Sequence, residues 1–214
     1  TNVKYGAYVQ ILKEELLPAM GCTEPIAIAF AAAKGRELLG TLPDQVWIEA
    51  SGNLIKNTKS VIVPNTGGLH GIPAAAAAGL VAGKPELLLE VISQVTPEQQ
   101  KEISAYMADH PISLKCLDGT LSFDLQLTLC HKDDEVKVRI ANYHTNVVHL
   151  ERNGTVLLDI PVEMDEENGL TDRSLLTMRD IVDFAETVAI SDVRELLDQQ
   201  ISLNMAIARE GLTK

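Results

Sequence analysis

A cysteine lies between two predicted helices, in the stretch Met20-Gly21-Cys22-Thr23-Glu24-Pro25. Apolar residues recur at helical spacing before Pro18, and an Ala-rich helix is predicted over residues 26–39. Thr23 is the predicted N-cap, and Pro25 is tolerated because its missing N–H would be unpaired in a first turn. The positive end of a helix favours a thiolate, which attacks electrophiles and binds metals. Cys22 is therefore a candidate reactive or ligating residue, and the competing interpretation is a small buried cysteine in a helix–helix corner.

A Gly-rich loop, Asn65-Thr66-Gly67-Gly68-Leu69-His70-Gly71, leads directly into a second Ala-rich helix predicted over residues 72–81. Free backbone N–H groups and the helix dipole together favour an anion such as a carboxylate or phosphate. The spacing of the glycines matches neither a Walker motif nor a dinucleotide fingerprint, which argues against a nucleotide site. Asn65, Thr66, Gly67 and Gly68 are candidate ligand-binding residues, and a plain connection is the alternative.

Three polar side chains, Asn53, Lys56 and Asn57, fall in a short segment between two predicted strands. Lys56 could hold a carboxylate or, in a different kind of enzyme, form a Schiff base. No phosphate cup or partner carboxylate supports a pyridoxal site. A surface turn explains these residues as well as a functional role does.

His144 and His149 are the histidines most suited to chemistry. They lie five residues apart in a strand pattern, which places them on opposite sheet faces unless a bulge intervenes. This geometry disfavours a zinc site built from both histidines and Cys22. His144, with Thr145 and Asn146, follows a predicted turn and is suited to proton transfer. His149 is predicted to be a hydrogen-bonded sheet residue, and Cys116 and Cys130 are interpreted as structural.

The periodicity of the apolar residues predicts an α+β fold. Helical patterns cover most of the chain up to residue 108, with short strands at residues 46–50 and 60–63. From Ile112 the apolar residues alternate, which predicts an antiparallel meander of four or five strands. An acidic loop over residues 163–172 and two closing helices follow. We expect one domain over residues 1–214, with N-terminal helices, a central antiparallel β-meander and C-terminal helices.

Composition excludes several classes of protein. A net charge of −12 and only 4% aromatic residues argue against binding to nucleic acid or to an anionic membrane. The longest apolar stretch is too short to span a bilayer, and no signal peptide is apparent. Three widely spaced cysteines do not form a disulfide framework. These features predict a soluble cytoplasmic protein.

Four motifs, taken in order, carry a resemblance to a known family: Gly21-Cys22-Thr23-Glu24-Pro25, Asn53-Leu54-Ile55-Lys56-Asn57, Val63-Pro64-Asn65-Thr66-Gly67-Gly68 and His144-Thr145-Asn146-Val147-Val148-His149. The chain resembles the N-terminal half of the L-cysteine desulfidase family, which is grouped with the iron–sulfur L-serine dehydratase α-chain. The resemblance implies a lyase that converts L-cysteine or L-serine to pyruvate and ammonia by α,β-elimination, with sulfide released in the cysteine case.

The resemblance also implies roles for individual residues. Cys22 would be one of three cysteine ligands of a [4Fe–4S] cluster, whose open iron acts as a Lewis acid. His144 and Lys56 would be catalytic; Asn53, Asn57, Asn65, Thr66, Gly67, Gly68, Thr145 and Asn146 would line the site of a small amino-acid substrate. The other two cluster ligands would lie beyond Lys214. The expected partners are therefore a missing C-terminal half or a separate subunit, or a homo-oligomer, and this chain alone is not expected to hold a cluster.

Two other functions compete with this one. A small-molecule-binding or assembly domain without activity of its own needs no cluster. A hydrolase with Cys22 as nucleophile and His144 as base needs only residues that are present.

Overall fold

A computed structural model describes residues 3–119, 121–162 and 170–213. Most of the predicted acidic loop, residues 163–169, lies outside the described residues. The chain divides into two compact units, one of Ala19–Met164 and one of Thr1–Pro18 with Asp165–Lys214. We call them the sheet unit and the terminal unit. The single-domain assignment of residues 1–214 stays a prediction.

The α+β class predicted from the sequence is confirmed. The helices are α1 (Val3–Glu15), α2 (Thr23–Leu39), α3 (Gly52–Thr58), α4 (Gly71–Ala82), α5 (Pro97–Asp109), α6 (Met178–Thr187) and α7 (Ile190–Thr213). The strands are β1 (Gln45–Ala50), β2 (Ile112–Cys116), β3 (Asp124–His131), β4 (Asp134–Ala141), β5 (Val147–Arg152) and β6 (Thr155–Asp159). Short 3₁₀ helices lie at Pro85–Glu90 and Arg173–Leu175. None of the helices in the described ranges has the length and apolarity needed to cross a membrane.

The strands form one six-stranded sheet in the order β2-β1-β3-β4-β5-β6. Strands β3 to β6 form an antiparallel meander, as predicted for this part of the chain, and β1 joins it by pairing antiparallel to β3. Among the strands of the described residues only β1 and β2 pair in parallel, with Val46 opposite Ile112, so the prediction that the meander begins at Ile112 is wrong. A parallel pair requires a crossover, and the long helical segment between these two strands provides it. The sheet is therefore mixed, with its sole parallel pair at one edge.

Two elements differ locally from the sequence prediction. Residues 60–63 form no strand, because Ile62 makes only an isolated bridge with His70 and its side chain is 64% exposed. The preceding polar segment forms the short helix α3, in which the Ser51 hydroxyl accepts a hydrogen bond from the Leu54 N–H at 3.4 Å. A capped helix satisfies backbone groups that a loop would leave to solvent.

Helix α2 is the centre of the sheet unit. It packs on the sheet on one side and on α4 on the other, and nearly every residue of its first three turns is buried. A helix that is apolar all round needs burial on all sides. The small side chains of both Ala-rich helices let their backbones come close together at Ala29 and Gly79. At the far end of α4, Arg36 of α2 donates to the carbonyls of Leu80 and Gly83 at 3.0 and 2.8 Å.

The terminal unit consists of α1, α6 and α7. The Phe184 ring of α6 packs edge-on against Tyr5 and Tyr8 of α1, with ring centroids 5.5 and 5.3 Å apart. The Glu14 carboxylate accepts hydrogen bonds from Thr171 and from the Arg173 guanidinium, at 2.9 and 2.6 Å respectively. The Arg173 hydrogen bond lowers the pKa of Glu14 to about 2.

Replacing Gly79 by alanine is expected to destabilise the sheet unit by about 1–3 kcal/mol, because the added methyl must overlap a neighbouring backbone. The new carbon would lie 2.8 Å from the Ala29 Cα, and a rigid helix cannot yield as a flexible side chain can. Urea unfolding followed by circular dichroism measures the change. Gly6→Ala in α1 is the control, since a methyl there meets nothing within 4 Å. Equal stability of both variants would contradict the close packing of α2 on α4.

Candidate functional site

Cys22 lies at the start of α2, as the sequence predicts. It is the N-cap residue itself, with extended backbone angles of φ −63° and ψ 123°, and the predicted cap Thr23 is the first helical residue. Gly21 before it has a φ of +94°, a conformation that glycine adopts without strain. The residue is exposed, so the interpretation of Cys22 as a buried corner residue is wrong.

The Cys22 thiol is hydrogen-bonded to a carboxylate two residues further along the chain. The Sγ donates to Glu24 Oε2 at 3.0 Å, and the other oxygen of Glu24 accepts from Asn57 Nδ2 of α3 at 3.3 Å. One carboxylate thus joins the start of α2 to the last turn of α3. Sequence reasoning gave Glu24 no role of its own, although its place in the first turn of a predicted helix was a usable signal.

Burial and Glu24 together reverse the expected behaviour of the thiol. Partial desolvation raises the pKa of Cys22, and the hydrogen bond to Glu24 and its negative charge raise that pKa further. The backbone N–H of Glu24 opposes these effects but does not outweigh them. The expectation that the helix N-terminus makes Cys22 a thiolate is therefore wrong, because desolvation of the sulfur and the adjacent carboxylate outweigh the diffuse charge of the helix.

Glu24 itself remains ionised. Burial alone would raise the pKa of this carboxyl, but hydrogen bonds from Cys22, from its own N–H and from Asn57 favour the charged form. These hydrogen bonds outweigh burial and, with a smaller contribution from His144 when its ring is protonated, hold the pKa of Glu24 below its usual value. The cluster therefore combines a carboxylate with a protonated thiol at neutral pH.

His144 belongs to a third segment, the turn between β4 and β5. Its ring packs against Phe123, with ring centroids 4.8 Å apart, and its Nε2 atom is buried without a hydrogen-bond partner among the described residues. Burial lowers the pKa of His144, and the negative charge of Glu24 only partly opposes this shift. The imidazole is accordingly neutral at pH 7. We refer to Cys22, Glu24, Asn57 and His144 as the Glu24 cluster.

His149 has a different environment on β5. Its Nδ1 lies 3.0 Å from Asp159 of β6, and its Nε2 lies 3.5 Å from Glu151. These contacts agree with the interpretation of His149 as a hydrogen-bonded sheet residue. It does not share the environment of His144.

The Gly-rich loop is stabilised by contacts within the sheet unit. The Asn65 amide donates to the carbonyls of Ile92 and Ser93 at 3.1 and 3.3 Å, and the buried Thr66 hydroxyl donates to Val63 O at 2.7 Å. Gly67 and Gly68 have φ angles of +74° and +98°. The polar side chains of the loop thus stabilise the loop itself, and their predicted role in binding a ligand stays a prediction.

The remaining predicted residues lie at or near the surface. Asn53 and Lys56 are exposed on α3, and in the described part of the chain neither side chain forms a hydrogen bond or ion pair. The Asn146 amide donates to Ala141 O at 2.9 Å, and the Thr145 carbonyl accepts from the Val147 N–H at 3.1 Å. Asn146 and Thr145 therefore shape the turn that carries His144.

Two shallow cavities lie on the sheet face opposite α2, and none of the residues of the Glu24 cluster lines them. One, of about 220 Å³, is lined by residues that include Gln126, Lys137, Arg139 and His149; the other, of about 430 Å³, lies beside Trp47. Lys137 pairs with Glu151 at 2.9 Å and Arg139 with Asp124 at 2.8 Å, so these cations already have partners. These residues occupy the polar positions of strands in which polar and apolar residues alternate, but an alternating sequence alone does not predict a cavity.

Fold and cluster together define an α+β protein with a thiol, a carboxylate and a neutral imidazole at one site. The chain is similar to a UPF0597 protein of Desulfitobacterium hafniense, with 50% identity over 208 residues, covering 97% of this chain and 48% of the relative. It is also similar to UPF0597 proteins of Treponema denticola (43% identity, 98% of this chain, 49% of the relative) and Fusobacterium nucleatum (40%, 99% and 50%).

The chain therefore spans about half the length of the curated relatives it matches. No family model matches the sequence. No solved structure matches it either.

These relatives correct the family assignment made from the motifs. At 40–50% identity over almost the whole chain they carry the name UPF0597, and not that of an L-cysteine desulfidase or L-serine dehydratase. The resemblance is therefore wrong as a family assignment, since short motifs carry less information than an alignment over 208 residues. The predicted iron–sulfur lyase activity depended on this family assignment and is wrong. The expectation that the chain is incomplete because two cluster ligands are absent loses its basis as well.

The residues around Cys22 do not fit an iron–sulfur cluster. Such a cluster needs several thiolates, whereas the hydrogen-bond partner of Cys22 is a carboxylate, which in turn accepts from the Asn57 amide. Within the described ranges no group of three or more His, Cys, Asp or Glu side chains is placed to hold a metal ion. No chemical step is assigned to a metal at this site.

Glu24→Gln is expected to lower the pKa of the Cys22 thiol, because it removes a carboxylate that raises it. Desolvation of the sulfur persists in the variant, so only part of the shift is lost. Alkylation by iodoacetamide measured against pH, in a Cys116→Ser, Cys130→Ser background, reports on this thiol alone. Glu37→Gln, on the exposed side of the same helix, is the matched control. An unchanged or raised pKa in Glu24→Gln would show that Glu24 does not control the thiol.

His144 is expected to make folding stability pH-dependent just below pH 6.5. Its pKa is lowered from the ordinary 6.5, so the unfolded chain binds the proton more tightly. Stability is therefore lost as pH falls below 6.5, by about 1.4 kcal/mol for each unit by which the folded pKa is lowered. His144→Gln should flatten this part of the stability profile measured by urea unfolding. If the wild type and His144→Gln lost the same stability as the pH falls, the pKa of His144 would not be lowered in the folded protein.

Proposed function

We propose that the sheet unit binds a small polar molecule at the Glu24 cluster. The observation that carries this proposal is an ionised, partly desolvated carboxylate whose charge acts on His144, a histidine with a buried ring nitrogen that has no partner among the described residues. Buried polar atoms in folded proteins are nearly always hydrogen-bonded, and a ligand is one means of satisfying them. The cluster joins three segments far apart in sequence, as binding sites commonly do.

The chemistry of the cluster favours a ligand that donates hydrogen bonds. A carboxylate has about four acceptor sites, and Glu24 uses three of them, for the side chains of Cys22 and Asn57 and for its own N–H. A protonated amine matches this acceptor because hydrogen bonds between charged groups are stronger than neutral ones. The net charge of −12 also attracts cations towards the chain. We therefore infer that the ligand is a small molecule with a protonated amino group.

Binding accounts for the geometry better than nucleophilic catalysis by Cys22. The thiol donates to Glu24 and not to His144, and its pKa is raised, whereas a nucleophilic cysteine needs a lowered pKa or an adjacent base. The protonated thiol is suited to contact the ligand or to hold the carboxylate in place. The site residues outside the cluster, Asn65 and Lys56 among them, have no role in this proposal.

The chain spans about half of each relative, so the Glu24 cluster need not be the whole site of the longer proteins.

We place this domain in the cytoplasm, because its three cysteines are all free thiols, as is usual in a reducing compartment.

A ligand screen by thermal unfolding tests the proposal. Propylamine, propionate, 1-propanol and glycine have similar size but present a cation, an anion, a neutral hydroxyl and both charges. A ligand that binds the folded state stabilises it by about 2.7 kcal/mol at a hundred times its Kd. Propylamine or glycine should raise the Tm of the wild type, and isothermal titration calorimetry should give a matching Kd.

Two variants locate the binding site. Glu24→Gln is expected to abolish the rise in Tm, because it removes the charge while keeping the size of the side chain. Glu37→Gln, whose carboxylate pairs only with Lys34 on the surface of α2, should retain it. Stabilisation by the amine that persists in Glu24→Gln would refute the site, and stabilisation by propionate alone would refute the class of ligand.

A further inference from the structure

Helix α7 of the terminal unit exposes an unusual amount of apolar surface. It is 24 residues long, and the large apolar side chains of its C-terminal half are between 46% and 87% exposed: Ile201, Leu203, Met205, Ile207 and Leu212. Over residues 201–213 the only charged residues are Arg209 and Glu210. A soluble chain rarely leaves such a surface uncovered, so a partner is expected to cover it.

Part of this surface forms a single stripe along the helix. The half-buried Leu197 and the exposed Ile201, Met205, Ala208 and Leu212 follow one another at intervals of four, four, three and four residues. This spacing keeps all of them on one side of an α-helix and is the pattern through which two helices pack lengthwise. Leu203 and Ile207 lie on other sides of the helix and are outside the stripe.

Two opposite charges flank the stripe on the same side. At about 100° of rotation per residue, Asp198 and Arg209 lie about 60° and 80° round the helix from Ile201. Neither side chain forms an ion pair within the residues that the structure describes. Both are therefore available to a charged group on an adjacent helix.

A second copy of α7 complements this pattern when the two helices run antiparallel. With Ile201 packed against the partner's Met205, Leu197 meets the partner's Ala208. The same register places Asp198 beside the partner's Arg209, and two-fold symmetry repeats the contact at the other end. The low charge of residues 201–213 also removes the local repulsion that a net charge of −12 would otherwise impose between copies.

We propose that the chain forms a homodimer through antiparallel packing of α7 against α7 of a second copy. The stripe supplies the apolar seam, and the two Asp198–Arg209 pairs select the antiparallel direction and its register. The proposal concerns the terminal unit and does not depend on ligand binding at the Glu24 cluster.

The mass of the 214-residue chain in solution, measured by light scattering and sedimentation, tests the dimer. The wild type is expected at twice the mass of one chain at micromolar concentration. Ile201→Asp should give a monomer, because it places a charge in the seam. Leu203→Asp, at an exposed position on another side of α7, is the matched control and should remain dimeric. Circular dichroism of each variant checks that the helices are intact.

A charge exchange tests the register. Asp198→Arg and Arg209→Asp each replace two attractive contacts by repulsive ones, and each is expected to weaken dimerisation about tenfold. An equimolar mixture of the two variants should recover dimers, since every contact is then again an Arg–Asp pair. This recovery cannot result from a change in folding, because both single variants are present unaltered.

A wild type that is monomeric at all concentrations, or a dimer that survives Ile201→Asp, would overturn the proposal. So would a monomeric Leu203→Asp variant, which would place the contact on another side of α7. A mixture of the charge variants that associates no better than either alone would overturn the antiparallel register.

Discussion

Burial of α2 between the sheet and α4 is the constraint on which the sheet unit depends. Its first three turns are almost entirely apolar and buried, so the helix is stable only inside the unit. Small side chains let α4 approach closely, and Arg36 ties the end of α4 to the same helix. Because α2 is held on both sides, its N-terminus has a fixed position. The Glu24 cluster lies at this N-terminus of α2.

Competition between desolvation and hydrogen bonding decides the chemistry of the cluster. Burial opposes the charge on Glu24, but donors from Cys22 and Asn57 outweigh it and keep the carboxylate ionised. Desolvation and the same carboxylate raise the pKa of the thiol, and His144 stays neutral because burial outweighs the attraction of Glu24. One anion between two neutral groups favours recognition of a donor over nucleophilic attack by sulfur.

The correction of the family assignment shows what short motifs can and cannot establish. The motifs identified segments that converge in part, since Cys22, Asn57 and His144 belong to three of them and interact with Glu24. They did not establish the activity, because the same polar residues at a helix start are compatible with several chemistries. The relatives named UPF0597 match over nearly the whole chain and thus outweigh those motifs.

The sequence by itself determined the α+β class, most of the helices, the alternating strands of the meander and the position of Cys22 at a helix start. These features depend on local periodicity and on breakers such as Pro18 and Gly21, which act over a few residues. The tertiary structure alone decided that β2 pairs in parallel with β1, that residues 51–59 contain a capped helix, and that Glu24 links Cys22 to Asn57 and influences His144. Pairing partners and pKa shifts arise from contacts between distant segments, and spacing along the chain carries no information about those distances.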